Sequence, residues 1–180
     1  MGALGIVAGE PAAGRVPAIV GLPPDTTEDA LKALGAAGAS SGSVAMFHAV
    51  GVTPEAPTLE AAIASDREPA RCGVNAADLR RAAASLATAP DGPIDAVALG
   101  TPHFSVSEFE RLHAYLGETP GRVRVEFTVS TSRAVLGEIR DRGWLEALEA
   151  AGVTVVADTC TYVSRILRDP SGITMTNSAK

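Results

Sequence analysis

Only two cysteines, Cys72 and Cys160, occur in 180 residues. Two thiols do not make the disulfide framework of a small secreted fold, and they read as reduced thiols of a cytoplasmic protein. No apolar run approaches the roughly 18–20 residues needed to span a bilayer. The opening stretch MGALGIVAGEPAAGRVP is small and apolar, but no basic residue precedes its short apolar run, which argues against a secretory leader. Gly2 is not followed by the Ser or Thr that N-myristoylation needs. Positive charge is also scarce: 15 Lys and Arg face 21 Asp and Glu, for a net charge of −6. That balance disfavours a nucleic acid or an anionic membrane as the main partner.

Several site signatures are missing as well. The chain has no CxxC, no HExxH, no GxGxxG after a strand, no Walker phosphate loop and no GxSxG elbow. Without an elbow or a recognisable triad order, a hydrolase built on Cys160 or Ser105 with His103 has little support. A single well-placed cysteine cannot hold an iron–sulfur cluster alone, since clusters take about four ligands. Any cluster here draws its other ligands from elsewhere.

What the sequence does have is a hydrophobic fraction of 46%, sufficient to bury a core. Short β-rich runs at 17–22, 43–50, 94–100, 123–129 and 153–159 alternate with segments of helical spacing. This rhythm predicts an α/β fold with a mostly parallel β-sheet and helices on both faces. Helix starts are marked by Asp25 or Thr26 ahead of Glu28 and Asp29, by Asn75, and by Ser105 three residues before Glu108. Residues 131–152 predict one or two helices, with Gly143 near a break and Gly152 past the end. Residues 1–16 offer no complete element, and ITMTNSAK starts like a strand and then stops. The expected organisation is a poorly defined segment 1–16 and one α/β domain over 17–180, a fragment of something larger.

Polar groups cluster where the strands end. SVAMF runs into His48, AVALG into TPHFS, VEFTV into STSR, and TVVAD into TCTY. In open α/β sheets ligands gather at the carboxyl ends of parallel strands, so these four loops predict one shared rim. Taken singly, each residue also has a plainer role. His48 suits a core, Ser105 and Ser132 suit helix caps, Arg133 suits either a bound carboxylate or the open surface, and Cys160 suits a buried thiol or a metal.

The segments at 31–63, GTPHFSVSE (100–108), TSR (131–133), DTCTYV (158–163) and MTNSAK (175–180), in this order and spacing, resemble the catalytic region of the aconitase X family. The resemblance implies an aconitase-like three-layer domain and a dehydratase that removes water from a small hydroxy acid. It implies iron or an iron–sulfur cluster as Lewis acid, 2Fe–2S among the candidates. Bacterial members are similar to cis-3-hydroxy-L-proline dehydratases, which form Δ1-pyrroline-2-carboxylate, and archaeal relatives act on mevalonate 5-phosphate. Carried onto this chain, Cys160 becomes a metal ligand. Ser41, His48, Thr53, Glu55, His103, Ser105, Ser132, Arg133, Ser178 and Lys180 become the substrate-binding set, and no residue is assigned as the proton-abstracting base.

Two departures bear on this. Thr101 stands in GTPH where many relatives have cysteine, which favours the hydroxyproline type, as does the lack of a basic cluster suited to phosphate. Family catalytic regions also extend beyond both ends of this stretch and work with a small swivelling domain or subunit. The resemblance therefore implies a partial site that is inactive alone. A module that has lost its cluster and keeps a binding or assembly role is the alternative from another class.

Overall fold

The computed structural model describes residues 1–63, 68–119, 121–169 and 171–179. Its Cα packing falls into two units, Met1–Thr88 with Ala179, and Ala89–Ser178. The sequence reading places one domain over 17–180, and the boundary between the two units falls between Thr88 and Ala89, after the end of the helix that closes the first unit at Leu86.

The first unit is organised around helices. Residues 1–16, expected to hold no complete element, form helix α1 (Gly2–Ala12), which has no side-chain cap and carries Pro11 near its end. Packing stabilises what capping does not: α1 lies along α2 (Glu28–Gly42). Three glycines let the two backbones meet. A Cβ on Gly5 would overlap the Leu34 carbonyl oxygen, one on Gly9 the Ser41 hydroxyl, and one on Gly42 the Gly9 carbonyl. Helix α2 is capped one residue after Thr26 and two after Asp25, the caps proposed from sequence, because Thr27 accepts the Ala30 N–H at 3.2 Å. Strands β1 (Ala18–Ile19) and β2 (His48–Ala49) pair in parallel, far shorter than the runs at 17–22 and 43–50 suggest. A single helical turn, α3 (Leu59–Ala62), follows, and then α4 (Ala76–Leu86), which packs on α1 and opens with a capping box between Asn75 and Asp78.

The second unit is the α/β part. Strand β3 (Ala96–Phe104) leads to α5 (Val106–Glu118), β4 (Glu126–Thr131), α6 (Arg133–Asp141), α7 (Trp144–Ala151), β5 (Val153–Ala157) and β6 (Thr174–Thr176). The four strands are parallel in the order β5-β4-β3-β6. Register places Leu99, Val129 and Val155 side by side, and Phe127 beside Val153, so these residues share one face. That face packs against Phe109 of α5, Ile139 of α6, and Leu145 and Leu148 of α7. Phe104 meets Phe109 edge to face at 5.2 Å between ring centres. Gly143 and Gly152 break and end the helical pair in left-handed conformations, as the sequence predicts. Among the described residues no helix is long and apolar enough to cross a membrane.

Candidate functional site

Parallel pairing brings the carboxyl ends of β3, β4, β5 and β6 to one rim of the second unit's sheet. His103, Ser105, Ser132, Arg133, Cys160 and Ser178 all lie at or just past those ends. Three of the four loops expected on one rim (100–105, 130–133, 158–162) are therefore there. The fourth, 48–55, follows β2 in the separate two-stranded sheet of the first unit.

The rim is built by close contact between β3 and β4. Gly100 has φ +89, and a Cβ there would overlap the Ser130 carbonyl oxygen, so only glycine fits. Pairing resumes past a register shift at Phe104, whose carbonyl oxygen accepts the buried Thr131 hydroxyl at 2.7 Å. Between these points lie Thr101, buried and joined to Pro102 by a cis peptide bond, and half-buried His103. The His103 Nε2 lies 3.1 Å from the Thr159 carbonyl oxygen. A carbonyl can only accept, so Nε2 carries the proton and donates it.

Next to this contact, Arg133 and Asp158 form a two-point attachment. The Arg133 Nε donates to one Asp158 oxygen at 2.5 Å, and its backbone N–H donates to the other at 3.0 Å. These bonds, the side-chain one foremost, hold the Asp158 carboxyl below the usual carboxylate range, with lesser help from the guanidinium charge and His103. Asp158 itself takes φ +58, and its N–H donates to the Thr131 carbonyl oxygen at 2.8 Å. Cys160 follows as a half-exposed free thiol. Its carbonyl accepts the N–H groups of Val163 and Ser164, and the Thr159 and Ser164 hydroxyls meet at 2.5 Å, which closes the loop into a turn.

The serines on the rim chiefly serve the backbone. Ser105 accepts the Glu108 N–H at 3.2 Å while Glu108 accepts the Ser105 N–H at 2.9 Å, so a capping box closes the α5 start. Ser132 caps α6 by accepting from Val135. The Ser178 N–H donates to the Thr176 hydroxyl at 3.1 Å. Lys180 lies outside the described residues. A half-open hollow of about 100 Å³, lined by His113, Leu116 and Leu148, lies between α5 and α7 rather than at the rim.

In the first unit the candidates divide. The Ser41 hydroxyl is used between helices, donating to the Gly5 carbonyl at 3.3 Å. Thr53 closes a turn: its hydroxyl lies 3.2 Å from both the N–H and the carbonyl oxygen of Ala49. His48 differs, because its Nδ1 is buried without a hydrogen-bond partner and the nearest Glu55 oxygen is 3.6 Å away. That distance is beyond a hydrogen bond, and a buried unpaired ring nitrogen is uncommon. His48 and Glu55 therefore stay together as a candidate pair.

Among the described residues no three His, Cys, Asp or Glu side chains gather to hold a metal ion. The residues present do not fit an iron centre by themselves. Cys160 is one donor, and Thr101 on the same rim brings a hydroxyl rather than a thiol. Sequence reading missed Asp158 as a partner of Arg133. The only signal was an acidic residue directly after β5, and adjacency of β4 and β5 was needed to give it meaning.

Comparison with known proteins covers nearly the whole chain. The family model described as aconitase X second domain matches residues 1–84, and that described as aconitase X third domain matches 94–180. The break between them coincides with the boundary between the two structural units. Cis-3-hydroxy-L-proline dehydratase of Pseudomonas aeruginosa is 42% identical over 98% of this chain and 31% of its own length. The phosphomevalonate dehydratase large subunit of Methanothermobacter thermautotrophicus is 39% identical over 92% of this chain and 39% of its own. A crystal structure of Thermococcus kodakaraensis aconitase X in its holo-form superposes with a TM-score of 0.83 at 28% identity, covering 99% of this chain and 44% of that one. The chain thus spans less than half the length of each of these three proteins.

Proposed function

Because the chain belongs to the aconitase X family, we propose that it is the middle portion of a hydro-lyase acting on cis-3-hydroxy-L-proline, with Δ1-pyrroline-2-carboxylate as product. The observation that carries the substrate is the 42% identity to a cis-3-hydroxy-L-proline dehydratase across 98% of the chain. The geometry agrees with a small carboxylate ligand. Arg133 stands exposed at the rim with a planar donor edge suited to a carboxylate. The His103 ring is oriented beside it by the Thr159 carbonyl.

Iron or an iron–sulfur cluster would supply Lewis acidity toward the leaving hydroxyl in such an enzyme. Cys160 is the one donor we assign to it. The other donors, and the remaining catalytic segments with a small swivelling domain or subunit, would come from outside these 180 residues.

A mevalonate 5-phosphate substrate is the second reading, favoured by the 39% identity to a phosphomevalonate dehydratase large subunit. It ranks below the first because the identity is lower and extends over less of this chain, 39% over 92% against 42% over 98%. The deciding experiment is a dehydration assay on both substrates, after anaerobic iron loading, with this chain alone and joined to the remaining aconitase X segments. Turnover of the hydroxyproline by the joined form alone is the expected result. Turnover of mevalonate 5-phosphate instead would establish the second reading, and turnover of neither would leave a non-catalytic module.

A further inference from the structure

Arg133 has an unusual combination of properties. Its side chain is 84% exposed, yet it is attached at two points to one carboxylate that approaches from a different strand. An exposed arginine with a single partner ordinarily samples many rotamers, and exposed ion pairs add little to stability. Holding this one still does not account for itself as a stabilising contact.

We propose that Asp158 is the positioning residue for Arg133, taking the Nε edge of its guanidinium and leaving the edge formed by the two terminal nitrogens to receive a substrate carboxylate. The argument is geometric. A guanidinium has two bidentate edges, one through Nε and a terminal nitrogen, the other through both terminal nitrogens. Oδ2 of Asp158 lies 2.5 Å from Nε, so the first edge is occupied. Oδ1 accepts the Arg133 backbone N–H at 3.0 Å, which ties the carboxylate to the first turn of α6 and fixes its plane.

Asp158 is itself immobilised. It has a left-handed backbone with φ +58, which Asp tolerates better than most residues. Its N–H donates to the Thr131 carbonyl at the end of β4. The neighbouring residue, Thr159, accepts from His103, so the same two-residue step after β5 sets the attitude of both a cationic fork and an imidazole. That the ligand is a small hydroxy acid carboxylate rests on the dehydratase reading. That Asp158 directs the fork does not.

The test is titration of the full 180-residue chain with L-proline and with L-prolinamide, ligands that differ only in the carboxylate. The chain should bind the carboxylate about tenfold more tightly than the amide, an increment typical of one charge-assisted bidentate contact. Asp158→Asn should erase most of that preference while leaving the amide affinity unchanged. In an Arg133→Ala background, Asp158→Asn should change nothing further, because the two residues act as one unit.

The Arg133 Nε–H resonance supplies a readout independent of ligand. It should exchange slowly with solvent in the parent chain and fast in Asp158→Asn. The proposal is overturned if the parent chain shows no carboxylate preference, if Asp158→Asn weakens both ligands equally, or if its effect persists without Arg133. Failure of the dehydratase reading looks different: the joined enzyme would turn over neither substrate while the carboxylate preference and its loss in Asp158→Asn remained.

Discussion

The two units solve the same packing problem with opposite materials. In the first, α1 and α2 approach until backbone meets backbone, and the residues that matter are those with no side chain: Gly5, Gly9 and Gly42. In the second, large side chains fill the space, with Phe109, Ile139 and Leu148 fully buried between the helices and the sheet. A contact made by absence fails when atoms are added, and a contact made by bulk fails when atoms are removed. The first kind leaves almost no trace in a hydrophobicity pattern, whereas the second is what such a pattern measures.

The sharpest way to break this contrast is to delete bulk from the second unit. Phe109→Ala should cost about 3–5 kcal/mol, the usual range for emptying a buried aromatic position. Trp144 is the chain's one tryptophan and lies in α7 of the same unit, so its fluorescence in urea reports that loss directly. A cost under about 1 kcal/mol would mean that the site collapses easily and is not packed as described. Adding bulk to the first unit should come next. Gly42→Ala places a methyl group against the Gly9 carbonyl, and overpacking of this sort costs about 1–3 kcal/mol. Hydrogen exchange across residues 2–12 and 28–42 is the measurement, and unchanged protection would show that the helices can part without loss.

A smaller effect tests the rim. Ser105→Ala removes the acceptor of the Glu108 N–H and should cost about 1 kcal/mol, as lost helix caps do. The same substitution sharpens the functional reading. If Ser105 is only a cap, the carboxylate preference measured at Arg133 should survive it.

Legibility from sequence follows the same division. Strands β3, β4 and β5, the caps at Asn75 and Ser105, and the breaks at Gly143 and Gly152 were readable because local chemistry sets them: alternation, side-chain acceptors, left-handed glycine. Helix α1 was not, since it lacks a cap and an apolar stripe. Its sign was the spacing of Gly5 and Gly9 against Gly38 and Gly42, which means nothing until the two segments are known to touch. The strand ends were found as a set because parallel topology forces them to one rim. His48 was expected on the same sheet, but β2, which looks like the other strands, pairs with β1 in the two-stranded sheet of the first unit. The Arg133–Asp158 attachment spans 25 residues and depends on β4 lying beside β5, a fact of strand order that composition cannot encode.

The smallest expected effect is one of pH, and it returns to the first unit. Asp78 completes the α4 capping box by accepting the Asn75 N–H at 2.8 Å, and it also pairs with Arg81. The Asn75 bond is the larger cause, and together they hold the Asp78 carboxyl below its ordinary value in the folded chain. A carboxyl whose folded pKa is depressed contributes stability at and above its unfolded pKa of about 4, and that contribution fades as pH falls through the folded value. Asp78→Asn should therefore weaken exchange protection in α4 near neutral pH. The difference between variant and parent should close as the solution is acidified through the depressed folded value, where the parent carboxyl is protonated too. A difference that stayed constant with pH would assign the effect to the shape of the cap rather than to its charge. Helix α4 would then be held, like α1, by its packing and not by its ends.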